Sequence, residues 1–343
     1  MKVDYAKITL IVLVIGLLAS GITLFYYFNY IENSPFPEIK EEFEIQGLTW
    51  STFSYYFESG CYDWVYNHDH STRIINEAKN NGANYLLLRA FYNGTSDGGL
   101  VGDDKETKEY LGHAIRLAHE KNLSILLVPY VESRDYHSNP IWKLDKDVWT
   151  EKVLMLAQFA EDNDVEMFTP GVEMNLILKE ESGDYMKNIL PKIRNIYSGK
   201  ISTAEQYDVE NWKLIDDVEA FSGYDCIGLT LFPRKEYNGV SDMRSFEDYN
   251  TYVDEEANVI DMLSKQYNIS CKIALPMGLD YWNGGYPEKP VPDAAIVAEA
   301  TSKGLDILSE YNFTGVFISH WASTHDHFKD RKDVDTMLKE RLD

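Results

Sequence analysis

The sequence predicts an α/β fold, a (β/α)8 TIM barrel preceded by one N-terminal transmembrane helix. Two observations predict the barrel: short apolar runs alternate with amphipathic stretches to the end of the chain, and the longest connections all follow strand-like runs. A third predicts the helix, an almost unbroken apolar segment from Ile8 to Phe28, of the roughly 20 residues a bilayer span requires.

At the N-terminus, Lys2 and Lys7 precede the apolar segment, and Glu32, Glu38, Glu41, Glu42 and Glu44 follow it. That asymmetry favours a single-pass, N-inside orientation in the cell membrane, with the rest of the chain extracytoplasmic. Leu17-Leu18-Ala19-Ser20-Gly21 offers small residues to a signal peptidase, but the apolar run continues through Ile22, Leu24 and Phe25, which favours an uncleaved signal anchor. Residues 1–30 are therefore expected to be the anchor and residues 31–44, with Pro35 and Pro37, a short stiff tether. Residues 45–343 are the barrel.

The expected strands are Ile45 to Trp50, Tyr85 to Phe91, Ser124 to Val131, Met167 to Glu173, Ile201 to Glu205, Cys226 to Phe232, Lys272 to Met277 and Thr314 to Trp321. Between them lie helical patterns at Ser71 to Asn81, Lys105 to Lys121, Val148 to Glu161, Tyr185 to Tyr197, Trp212 to Phe221, Asp254 to Tyr267 and Asp293 to Tyr311. Helix-to-strand junctions carry stop signals, as in Asn81-Gly82-Ala83-Asn84 and Ser198-Gly199-Lys200. A doubly wound open sheet is the alternative, but the first βα turn has no Gly-rich phosphate loop. In a barrel the long loops after strands crowd the C-terminal face, where active sites are built.

Composition narrows the ligand. With 56 acidic against 32 basic residues the formal charge is -24, which argues against a nucleic-acid partner, because phosphate-backbone affinity rests largely on Lys and Arg. The 24 Tyr and 7 Trp suit flat sugar faces as well as a large core. The three cysteines, Cys61, Cys226 and Cys271, lack metal-type spacing and read by default as buried thiols. Cys226 and Cys271 fall near the starts of two neighbouring strands, so a bridge is open to them in an oxidising compartment. His113 and His119 lack the i, i+4 spacing of helical metal ligands, and His320, His325, Asp326 and His327 have no spaced carboxylate partner. No metal or other cofactor is expected. Sequons occur at Asn93, Asn122, Asn268 and Asn312.

The strand ends carry a coherent chemistry. They hold Trp50, Arg89, Tyr130, Glu132, Glu173, Asn175, Glu205, Phe232, Asp280, Trp282 and Trp321. Two carboxyl groups across a scissile bond, with aromatic surfaces to hold the ring, are what glycoside hydrolysis needs. Glu173 leads. Within the stretch MFTPGVEMNL it ends a short apolar run, where desolvation raises a carboxyl pKa toward that of a proton donor. The bland alternative is a carboxylate that caps the next helix or pairs with an arginine.

The stretch from Trp149 to Pro233 resembles the middle of glycoside hydrolase family 113 and its clan A relatives, the retaining β-mannanase type of barrel. LAQFAED, PGVEMNL, ILPKIRNIYSGKISTA and SGYDCIGLTLFP carry the resemblance, with HAIRLAHEKNLSILLVPYV before them. It implies Glu173 as acid/base, Arg89 as the arginine that orients the nucleophile, and Trp321 as the platform under the reacting sugar. It also implies a strand-seven nucleophile Glu, but the chain reads KIALPMG there, with Pro276 at that position. Glu205, Asp280 and Glu132 are the substitutes. Trp50, Arg89, Tyr130, Glu132, Asn175, Trp282 and Trp321 are expected to bind substrate.

The expected function is a membrane-anchored, extracytoplasmic glycoside hydrolase acting on a β-linked polysaccharide or oligosaccharide. The alternative is a glycan-binding barrel that has lost hydrolysis, and metal-dependent hydrolysis through the His320 to His327 loop is the weakest reading.

Overall fold

The computed structural model describes residues 43–49, 68–95, 98–102, 104–133, 144–178, 181–205, 220–231, 246–277 and 294–318. In chain order these form β1 (Ile45–Thr49), α1 (His68–Asn80), β2 (Tyr85–Gly94), β3 (Leu100–Val101), α2 (Asp104–Glu120), β4 (Ser124–Ser133), α3 (Lys146–Asp162), β5 (Met167–Phe168), α4 (Met174–Leu178), α5 (Ser182–Arg194), β6 (Lys200–Ile201), β7 (Cys226–Leu231), α6 (Phe246–Tyr267), β8 (Cys271–Met277), α7 (Ala294–Glu310) and β9 (Gly315–Ile318). The expected anchor and tether lie outside the described residues, apart from Phe43 and Glu44, and so does most of the expected helix from Trp212 to Phe221. No described helix is long and apolar enough to cross a membrane.

Eight strands run parallel in the order β6-β5-β4-β2-β1-β9-β8-β7, and the short β3 pairs antiparallel with β2. The two ends of that path meet through the bridges Ser202–Cys226 and Glu205–Leu229, which nearly close the barrel. The expected strands four and five are shorter than their apolar runs, because the chain leaves the ladder in a buried turn after Phe168, and after Ile201 it joins β7 through isolated bridges.

Alternation along the strands divides the apolar residues between two layers. Ile45, Leu87, Leu126, Val128, Met167, Ala204, Cys226, Ile273, Leu275 and Phe317 fill the barrel. The alternate residues, among them Leu48, Leu88, Leu127, Phe168, Ile201 and Leu229, pack against the helices. Gly47 faces inward, and a Cβ there would overlap the Phe317 ring. A large side chain thus fills space that its neighbour leaves.

Five helix-to-strand junctions share one grammar. A residue with left-handed φ follows the helix: Gly82 (φ 79), Asn122 (φ 56), Asp164 (φ 54), Asn268 (φ 54) and Asn312 (φ 53). The amide after each returns to a carbonyl five residues back, as in Leu123 to Ala118 at 3.0 Å, Ile269 to Ser264 at 2.9 Å and Phe313 to Leu308 at 3.1 Å. That residue is buried in every case: Ala83, Leu123, Val165, Ile269 and Phe313. These are Schellman-type caps, with the apolar contact that accompanies them. They also explain three sequons, because Asn122, Asn268 and Asn312 are cap residues followed by an apolar plug and a Ser or Thr that leads into the strand.

The floor of the barrel is tied by polar groups. Glu166 accepts from the Ile125 amide at 2.7 Å, Arg194 donates to the Gly199 carbonyl at 2.8 Å and pairs with Asp225, and Asp225 accepts from the Ile201 amide at 2.6 Å. Cys226 and Cys271, in register on β7 and β8, form a disulfide. The default reading of buried thiols is corrected for this pair: parallel register sets the two Cβ atoms side by side on adjacent strands.

Candidate active site

The chain leaves β5 through a tight, buried turn. Thr169 Oγ1 donates to the Gly171 carbonyl at 3.2 Å, and the Tyr185 hydroxyl on α5 donates to the Pro170 carbonyl at 3.4 Å. Gly171, at φ +155, runs so close over Met174 that a Cβ would lie 2.5 Å from its sulfur. Glu173 then adopts φ 53, a left-handed conformation that costs a non-glycine residue about 1–2 kcal/mol. Its amide donates to the Ala204 carbonyl at 2.7 Å, and its own carbonyl accepts from Ile177 at 3.3 Å as α4 begins. Backbone bonds on both sides hold the strained residue in place.

The Glu173 carboxylate is half-buried and accepts a hydrogen bond from Thr230 Oγ1 at 3.0 Å. Thr230 is fully buried on β7, on the parity of Cys226 and Gly228, which faces the barrel interior. The carboxylate therefore extends from the end of β5, past β6, to β7 at the C-terminal end of the strands.

Arg89 lies on β2 on the inward parity of Tyr85 and Leu87, in register with Val128, and is 3% exposed. Its guanidinium sits 5.0 Å from the centroid of the half-buried Tyr130 ring, which meets Phe91 edge-on at 5.7 Å. This geometry matches a cation–π contact.

Glu205 is placed differently from the expectation that it could oppose Glu173. It is fully buried, and its bridge partner Leu229 belongs to the layer between barrel and helices. Residues paired in a parallel ladder share a face, so Glu205 faces outward while Thr230 faces inward. The phenols of Tyr185 and Tyr224 report the same surroundings. Burial pushes both well above the usual tyrosine range, and the Glu205 charge pushes them further. Adjacent strands alone do not bring two carboxylates together; parity decides.

Glu132 lies on β4 in register with Asn93, and Asn175 lies in α4, but neither side chain is among those described. Trp50, Asp280, Trp282 and Trp321 lie outside the described residues, as do His320, His325, Asp326 and His327. Pro276 stands in β8, where the pairing slips: Leu229 is opposite Ala274 but Leu231 is opposite Met277. A proline has no N–H for the ladder, and a bulge is where a central strand tolerates one. Among the described residues no group of three or more His, Cys, Asp or Glu could hold a metal. Thr230 was missed in the sequence, although a lone polar residue on the inward parity near the end of an apolar strand was the available signal.

A family model for glycoside hydrolase family 113 matches residues 65–268, more than half of the chain. Among solved structures, a family 113 β-1,4-mannanase superposes with a TM-score of 0.62 at 16% identity, covering 87% of this chain and 98% of that one. The family 113 β-mannanase AaManA of Alicyclobacillus acidocaldarius, in complex with ManMIm, gives 0.62 at 14% identity over 86% and 96%. Subunit Z of the clostridial cellulose synthase from Clostridioides difficile gives 0.58 at 12% identity over 86% and 99%. Identities this low show a shared fold. No curated protein sequence matches the chain. A family match of this extent, on an eight-stranded parallel barrel with an acid at the end of its fourth barrel strand, leads to one conclusion: the chain belongs to glycoside hydrolase family 113.

Proposed function

We propose that the protein hydrolyses a β-linked, mannan-type polysaccharide or oligosaccharide, with Glu173 as the general acid/base. The observation that carries this is the way Glu173 is held: a strained left-handed backbone, fixed by Ala204, carries a carboxylate bonded to Thr230 at the catalytic end of the barrel. A surface carboxylate needs neither the strain nor the buried partner.

Glu173 protonates the glycosidic oxygen as the bond breaks, and a second carboxylate stabilises the oxocarbenium-like centre. Glu205 faces the helices, so Asp280 and Glu132 remain for that role. A partner roughly 5–5.5 Å away gives a retaining enzyme, and one roughly 6.5–9.5 Å away an inverting one with a water between. Arg89 and Tyr130, with Trp50, Asn175, Trp282 and Trp321, form the sugar site in this reading.

The proposed setting is extracytoplasmic, with residues 1–30 anchoring the barrel to the membrane and residues 31–44 as tether. The Cys226–Cys271 disulfide supports this, because such bonds persist in oxidising compartments. A second reading, a barrel that binds glycan without cutting it, is favoured by Pro276 at the position where the family resemblance implies a nucleophile.

Incubation with a panel of β-linked glycans separates the two. Cleavage that disappears in Glu173→Gln supports the hydrolase, and the anomer released first tells retention from inversion. Binding without cleavage by wild type and variant alike would transfer the case to the second reading.

A further inference from the structure

We propose that Thr230 is a positioning residue for Glu173, aiming its carboxylate into the site. This rests on the reading of Glu173 as the acid/base. The two residues share one frame, made by Ala204 and Glu205. The Glu173 amide donates to the Ala204 carbonyl at 2.7 Å, and the Thr230 amide donates to the Glu205 carbonyl at 2.9 Å. The Glu205 amide in turn donates to the Gly228 carbonyl at 3.2 Å. Two consecutive residues of the seam thus set the acid and the hydroxyl against each other, and the 3.0 Å bond between them closes the loop.

Thr230 is fully buried, so its hydroxyl needs a partner, and threonine's branched Cβ restricts the rotamers in which it can donate.

The test compares Thr230→Val and Thr230→Ser with wild type in the intact chain. Valine keeps the shape and loses the donor. It is expected to lower kcat about tenfold, with KM within about twofold. Serine is expected to restore kcat. A valine variant with a lower Tm but an unchanged kcat would show a merely structural hydroxyl and overturn the proposal. Crystal structures of the two variants read the same point without turnover. A Glu173 carboxylate displaced in Thr230→Val and restored in Thr230→Ser is expected, and an unmoved one overturns the proposal. If wild type cuts no glycan, the acid/base reading fails and the position of the carboxylate alone decides the role of Thr230.

Discussion

Glu173 and Glu205 are both acids at the ends of neighbouring strands, and the sequence alone does not separate their roles. Strand order is legible from apolar runs, but which face a residue takes depends on a register that slips by single residues. The bridge to Leu229 turns Glu205 toward the helices, whereas the left-handed turn at Glu173 sends its carboxylate to Thr230. Glu173→Gln is therefore expected to lower kcat by about 10²–10⁴-fold while glycan binding persists, as initial rates and calorimetry would show. Glu205→Gln is expected to spare turnover to within about a few-fold and to act on stability instead. Kinetics and thermal melts on the two variants would expose a reversal of these roles.

Among the elements, the helix-to-strand caps were legible as stop signals, but their shared geometry was not, because Asn reads equally well as cap, sequon or turn. With Asn312 at φ 53, Asn312→Gly is expected to hold or raise Tm. Asn312→Ala is expected to lower stability by about 1 kcal/mol in denaturant melts. Between α6 and β8, Asp261 accepts from Lys265 and from the buried Lys272 at 2.7 Å, and those two bonds hold its carboxyl below the usual range. A depressed folded-state pKa contributes stability above the unfolded value of about 3.9 and loses it as pH falls through the folded one. Asp261→Asn is therefore expected to flatten the acid side of the Tm-against-pH curve, and an unchanged slope would refute the linkage.

Across the whole molecule, the barrel was readable because eight βα units repeat one pattern. Its closure was not, since the seam between β6 and β7 rests on bridges at Ser202 and Glu205. The disulfide between Cys226 and Cys271 ties the other flank of β7, closing a span of 45 residues in sequence. Its reduction, or paired replacement by alanine, is expected to cost about 2–4 kcal/mol, read as a lower Tm. An unchanged Tm would show that the seam holds without it.

The central claim is that Glu173 donates the proton, and leaving-group dependence tests it most directly. A β-mannan chain leaves as a poor group that needs protonation, whereas a dinitrophenolate leaves without it. For Glu173→Gln the account predicts a loss of about 10²–10⁴-fold on mannan and a far smaller loss in the bond-breaking step with a dinitrophenyl β-mannoside. Equal losses on the two substrates, or no loss on mannan, would contradict it.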